Sequence, residues 1–256
     1  MREIISGFLS NDSTFGKLMT RIAVIVGANL MFIIFSLPVV TIGACYAALY
    51  HVMLKALRGN GAVNPIKQFW IGFKTNFRQA TAAWLIALAL VGFGYVDVRI
   101  CLAAGGFIGS LRYAIYALGI VLAVVLIYLF PVMAAFENKL KNLVKFAVYF
   151  AVRRPFRLIV LAFFNIFPLY LTYTDPQMMP LYAFIWTFFG FGAIAMLGSA
   201  LLIGDFKPYL PVVDSFGDFV LDENGEKMMP GQEGAESGAG EKSEKEILEE
   251  MKRLGM

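Results

Sequence analysis

Six stretches of this chain, 22–37, 39–57, 79–98, 113–136, 156–172 and 181–204, run for 16 to 24 residues with at most one charged side chain each. A bilayer core about 30 Å thick asks for about 20 largely apolar residues per crossing helix. Within lipid only a helix or a closed barrel satisfies its own backbone. Barrel strands would read as alternating segments of about ten residues, a pattern the sequence lacks. With 59% apolar and 16% charged residues, the expected fold is all-α integral membrane, a polytopic helical bundle of six spans with amphipathic cytoplasmic helices; five spans is the alternative.

Charge decides between the two counts. The first two stretches are separated only by Pro38, and proline disfavours helix at the residue before it, so Pro38, Thr41 and Gly43 read as an outer turn. Six spans with both termini inside then place 15 of the 17 bases that precede residue 214 on the cytoplasmic side, and only Arg99 and Arg112 outside. A five-span scheme exports either the N-terminal bases or both basic loops, against the positive-inside rule. The expected location is therefore the bacterial cytoplasmic (inner) membrane.

Residues 1–20 read as an interfacial lead-in with Ile4, Ile5, Phe8 and Leu9 on one face. Residues 1–211 form the expected membrane domain. Residues 212–256 form a hydrophilic tail, and 214–256 hold 12 acids against 5 bases, whereas the preceding chain holds 6 against 17. Residues 222–246, rich in Gly, Glu, Ser and Lys, are expected to be disordered. A last pattern with Ile247, Met251 and Leu254 on one face is too short to hold a helix without a partner. Basic residues beside spans meet anionic lipid, and nucleic acid is not an expected partner.

The chemistry-bearing residues are few. One histidine, His51, and two cysteines, Cys45 and Cys101, make no zinc spacing and no disulfide framework. No metal and no cofactor are expected. Ile42-Gly43-Ala44-Cys45 mimics a lipoprotein cleavage box, but too long a segment precedes it for a signal peptide. No P-loop, dinucleotide fingerprint or nucleophile triad is present, and the chain reads as a non-enzyme.

Two basic loops resemble one another: Trp70 leads after seven residues to Phe77-Arg78, and Tyr149 likewise to Phe156-Arg157. Phe69, Trp70, Phe73 and Phe77 recur at helical spacing among Lys67, Lys74 and Arg78, which predicts an amphipathic helix lying in the interface. Such a helix serves either as a membrane-anchored linker or as a docking surface. The docking candidates are Phe69, Trp70, Phe73, Lys74, Phe77, Arg78, Arg153 and Arg154. Polar residues at membrane depth are Asn29, Thr41 and Asn165, with helix-to-helix hydrogen bonding the expected role of both asparagines. Asp97, two residues from Arg99, marks a rim or a local ion pair at the end of the third span.

The run from Asn29 to Tyr50 (NLMFIIFSLPVVTIGACYAALY), the run from Phe69 to Thr81 (FWIGFKTNFRQAT), Phe130-Pro131 with Phe136 and Asn138, and Phe206-Lys207-Pro208-Tyr209-Leu210 together resemble the YesL-like family of bacterial membrane proteins of unassigned activity. The resemblance covers about residues 1–211 and leaves the acidic tail outside. It implies an accessory subunit or assembly factor beside a carbohydrate ABC importer, with importer permease or solute-binding subunits as partners. It supplies no catalytic residues. The other readings are a stand-alone small-molecule facilitator with a path past Asn29, Thr41 and Asn165, and a membrane regulator acting through its tail.

Overall fold

The structure is a computed structural model that describes residues 14–59, 63–212 and 227–230. Among these residues the regular elements are helical. Helix α1 (Thr14–Ser36) stops just before the Leu37-Pro38 pair, and a 3-10 turn over Val39–Thr41 reverses the chain into α2 (Ile42–Arg58). The Thr41 hydroxyl closes this turn, lying 2.6 Å from the Phe35 carbonyl and 2.7 Å from that of Pro38. Of the expected lead-in, residues 14–20 are the first turns of α1; the rest lies outside the described residues.

Helix α3 (Pro65–Ala104) corrects one expectation. Asn64 caps it by accepting the Lys67 N–H at 3.1 Å, Pro65 occupies the first turn, and both choices suit a helix start. Residues 66–78 are not a separate interfacial helix but the beginning of this 40-residue element. No glycine or proline stands between Phe73 and Gly92 to break the helix where the composition changes. At 1.5 Å per residue α3 is about 60 Å long, twice the hydrocarbon thickness.

Gly105 and Gly106, at φ 63° and 55°, turn the chain in the left-handed region open to glycine. A short α4 (Gly106–Ser110) leads into α5 (Arg112–Ala135). The second basic amphipathic stretch is a helix of its own, α6 (Leu140–Arg153), and it buries Leu143, Phe146 and Phe150. Pro155 ends it by holding Arg154 outside helical space, and α7 (Pro155–Thr174) follows. The return leg is α8 (Met179–Ile185), a π-helical turn at Trp186–Gly190 and α9 (Phe191–Phe206). Six helical segments are long and apolar enough to cross a membrane, as the hydropathy predicted.

Helix α2 is the most enclosed, with Ala44, Cys45, Ala47, Ala48, Leu49, Val52 and Met53 all buried. Lipid gives apolar helices no hydrophobic reason to associate, so close backbone approach through small residues has to supply the contact. Gly43 lies under Ala80 and Trp84, and Gly72 lies under His51. Both cysteines are buried free thiols. In the tail, residues 227–230 sit on the body: the Val212 N–H donates to the Met228 carbonyl at 2.7 Å, and Met228 and Pro230 are buried. The expected disorder in the rest of 222–246 and the partner-dependent pattern near Ile247 lie outside the described residues.

Candidate functional site

The docking residues proposed on α3 divide into two sets. Phe69 is fully buried and Phe73 nearly so, whereas Trp70 is 41% and Phe77 37% exposed; Lys74 and Arg78 are exposed as well. The cause is Phe35 at the end of α1, whose ring centroid lies 6.0 Å from that of Phe69, 5.5 Å from Trp70 and 5.4 Å from Phe73. Phe69 and Phe73 therefore fasten α1 to α3 and present nothing to a partner, which corrects their assignment. Trp70 stacks on Phe73 at 5.9 Å and carries the Lys74 ammonium 4.9 Å from its ring centroid. A cation over indole is attracted by the ring's quadrupole. The exposed remainder is a strip of Trp70, Lys74, Phe77 and Arg78.

Arg153 and Arg154 are also committed internally. Arg153 donates to the Tyr209 hydroxyl at 3.1 Å and to that of Tyr149. The Arg154 Nε lies 3.4 Å from the Asp205 carboxylate, which also pairs with Arg157. Asp205, only 9% exposed, thus ties the start of α7 to the end of α9. Its importance was not visible in the sequence, where it stands one residue beyond the last apolar run. Tyr128, whose buried hydroxyl has no hydrogen-bond partner among the described residues, is near this pair.

The polar residues at depth serve the helices rather than a shared path. Asn29, fully buried, donates from Nδ2 to the carbonyls of Trp186 (2.9 Å) and Thr187 (2.7 Å) and accepts the Gly192 N–H at 2.8 Å through Oδ1. A π turn displaces the helical hydrogen-bond ladder, and one amide side chain from α1 serves both sides of that displacement. Asn165 donates to the Leu161 carbonyl at 2.8 Å and pairs with the buried Tyr50 hydroxyl. Thr41 belongs to the turn described above. Asp97 is exposed and makes no ion pair with Arg99 among the described residues, so the rim reading is the one that fits.

At the end of the bundle where α2 and α5 finish and α3 begins lies a cavity of about 450 Å³. Its walls include His51, Lys55 and Arg58 of α2, Gln68 and Asn76 of α3, and Glu137 beyond α5; Tyr209, Lys227 and Met229 complete it. His51 is hydrogen-bonded to the Ala134 backbone and the Gln68 side chain. The Arg58 guanidinium donates to the Pro211 carbonyl, and Lys227 lies 3.7 Å from Glu137. No group of three or more His, Cys, Asp or Glu able to hold a metal occurs among the described residues. The cavity went unrecognised in the sequence because its residues come from five separate parts of the chain.

Residues 25–98 match the family described as "Protein of unknown function, DUF624". The chain is 32% identical over 124 residues to the uncharacterized protein YteU of Bacillus subtilis (strain 168), a region covering 48% of this chain and 55% of that protein. It thus spans about half the length of the relative it matches. Both findings agree with the family resemblance read from the sequence. No solved structure matches this chain.

Proposed function

We propose that the chain is a multi-pass accessory subunit or assembly factor of the bacterial cytoplasmic membrane, with both termini inside, that docks onto a carbohydrate ABC importer and performs no catalysis. The importer as partner rests on the family resemblance. The docking reading is supported by one observation, the aromatic and basic strip Trp70, Lys74, Phe77 and Arg78 held outward on α3 while its neighbours Phe69 and Phe73 are locked inward. Exposed Trp beside basic side chains is the composition of an interface anchor.

A facilitator is the weaker reading. Asn29, Thr41 and Asn165, the residues nominated for its path, each spend their hydrogen bonds on helix ends, a π turn or a neighbouring helix. The test is copurification of importer permease from native membranes with the wild-type chain and with Trp70→Ala plus Lys74→Ala. Loss of permease in the double variant, at unchanged expression and melting temperature, is expected; equal recovery would remove the strip from the docking surface.

A further inference from the structure

We propose that the cavity at the basic end of the bundle is a binding site for a phosphate group, carried either by a small soluble organic phosphate or by a lipid headgroup, and that residues 227–230 of the tail form its cover. This rests on side chains other than the docking strip, so either proposal can fail alone.

Among the described residues, the cations Lys55, Arg58 and Lys227 share the cavity wall with one carboxylate, Glu137. That carboxylate faces Lys227. Arg58 forms no ion pair among the described residues, and its guanidinium donates there to the neutral carbonyl of Pro211. A guanidinium has five N–H donors in a planar fork, so one carbonyl leaves both its charge and most of its donors available. Phosphate oxygens match that fork in pairs, and charge-assisted bonds of this kind are about twice as strong as neutral ones.

The volume supports a ligand larger than the phosphate itself. About 450 Å³ lies within the usual span of small-molecule sites, about 300–1,000 Å³. The side chains of Gln68 and Asn76 supply amides on the α3 wall, suited to hydroxyl groups on the rest of such a molecule. The cover is part of the protein: Met229 lines the cavity, Met228 is bonded through its carbonyl to Val212, and Lys227 reaches Glu137.

The test uses the full chain in phosphatidylcholine nanodiscs, titrated calorimetrically with inorganic pyrophosphate at low salt. A parallel arm exposes the same discs to phosphatidylglycerol and scores lipid adducts by native mass spectrometry. The expected result is saturable binding of one probe, weakened roughly tenfold or more by Arg58→Gln and by Lys55→Gln and unchanged by Lys141→Gln on the exposed face of α6. Pyrophosphate binding with this pattern assigns a soluble ligand. An Arg58-dependent lipid adduct without pyrophosphate binding assigns a headgroup. Absence of binding by both probes, or binding that neither cavity variant weakens, overturns the proposal. Lys55→Gln carries the comparison if Arg58→Gln does not fold.

Discussion

Replacing Asn29 by alanine should detach α1 from the π turn that precedes α9. The side chain makes three hydrogen bonds across about 160 residues of sequence, two to carbonyls and one from the Gly192 N–H, at 2.7 to 2.9 Å and with no solvent exposure. Interhelical hydrogen bonds in membrane proteins average about 0.6 kcal/mol each, which gives about 2 kcal/mol for three. Buried groups left without partners cost about 1–3 kcal/mol apiece, and the π turn offers little alternative pairing, so a loss of about 2–4 kcal/mol is expected. Asn29→Asp keeps the acceptor for Gly192 but sets carboxylate oxygen against two carbonyls, and should be no milder. Thr187→Ala leaves the accepting backbone carbonyl in place and should be neutral. The assay is reversible unfolding in mixed micelles by titration with a denaturing detergent. If Asn29→Ala lies within about 0.5 kcal/mol of wild type, a change typical of an ordinary surface site, the Asn29 side chain does not hold these helices together.

Gly43→Ala should lower the melting temperature clearly, because its new Cβ would stand 2.6 Å from both the Ala80 carbonyl oxygen and the Trp84 Cβ, an overpacking worth about 1–3 kcal/mol. Gly119→Ala meets nothing within 4 Å and should be neutral or stabilising by up to about 1 kcal/mol in the same measurement. Asp205→Asn should destabilise by about 1–3 kcal/mol, since two arginines lose their shared partner, while Arg154→Gln, at a side chain 54% exposed, should cost less than about 1 kcal/mol. Reversal of that order would place the stabilising contact elsewhere.

Much of this architecture was legible from hydropathy alone. Apolar run length locates all six long segments, and Pro38, Pro155 and the Gly105-Gly106 pair act at the chain reversals as their backbone preferences dictate. What composition could not show was where a change of polarity is not a change of structure: the basic, aromatic start of α3 continues into the apolar helix without a break. Nor could spacing separate Phe69 and Phe73 from Trp70 and Phe77, because their sorting depends on Phe35, more than thirty residues away in sequence. Asn29 could be identified as a polar group at depth, but its partners are backbone atoms in a π turn, which leave no side-chain signature. Asp205 and the basic cavity were hidden for the same reason, being defined by partners from distant helices.

The position of the first hairpin in the membrane follows from α3. The Trp84 indole N–H donates to the Val39 carbonyl at 2.8 Å, fixing the α1–α2 turn beside the midpoint of a 40-residue helix. Twenty residues remain beyond Trp84, about 30 Å of helix, and even at the roughly 40° upper limit of transmembrane tilt they rise about 23 Å. That second half leaves Ile86, Leu90, Val91, Phe93 and Ile100 more than half exposed within the protein. Each such side chain is worth about 1.5–3 kcal/mol of burial, so this half is expected to lie in lipid. With that half in lipid and both termini inside, as proposed, the turn at Pro38 is expected to stop inside the bilayer rather than open onto its outer face, although α1 and α2 have the length of full spans. In a chain with Cys45→Ala and Cys101→Ala, Ser110→Cys at the far end of the α3–α5 hairpin should react with a membrane-impermeant maleimide from outside. Leu37→Cys, exposed on the protein but shielded by lipid, should stay unreactive from that side. Equal labelling of the two positions would put the turn at the outer surface and require the apolar second half of α3 to be covered by another chain.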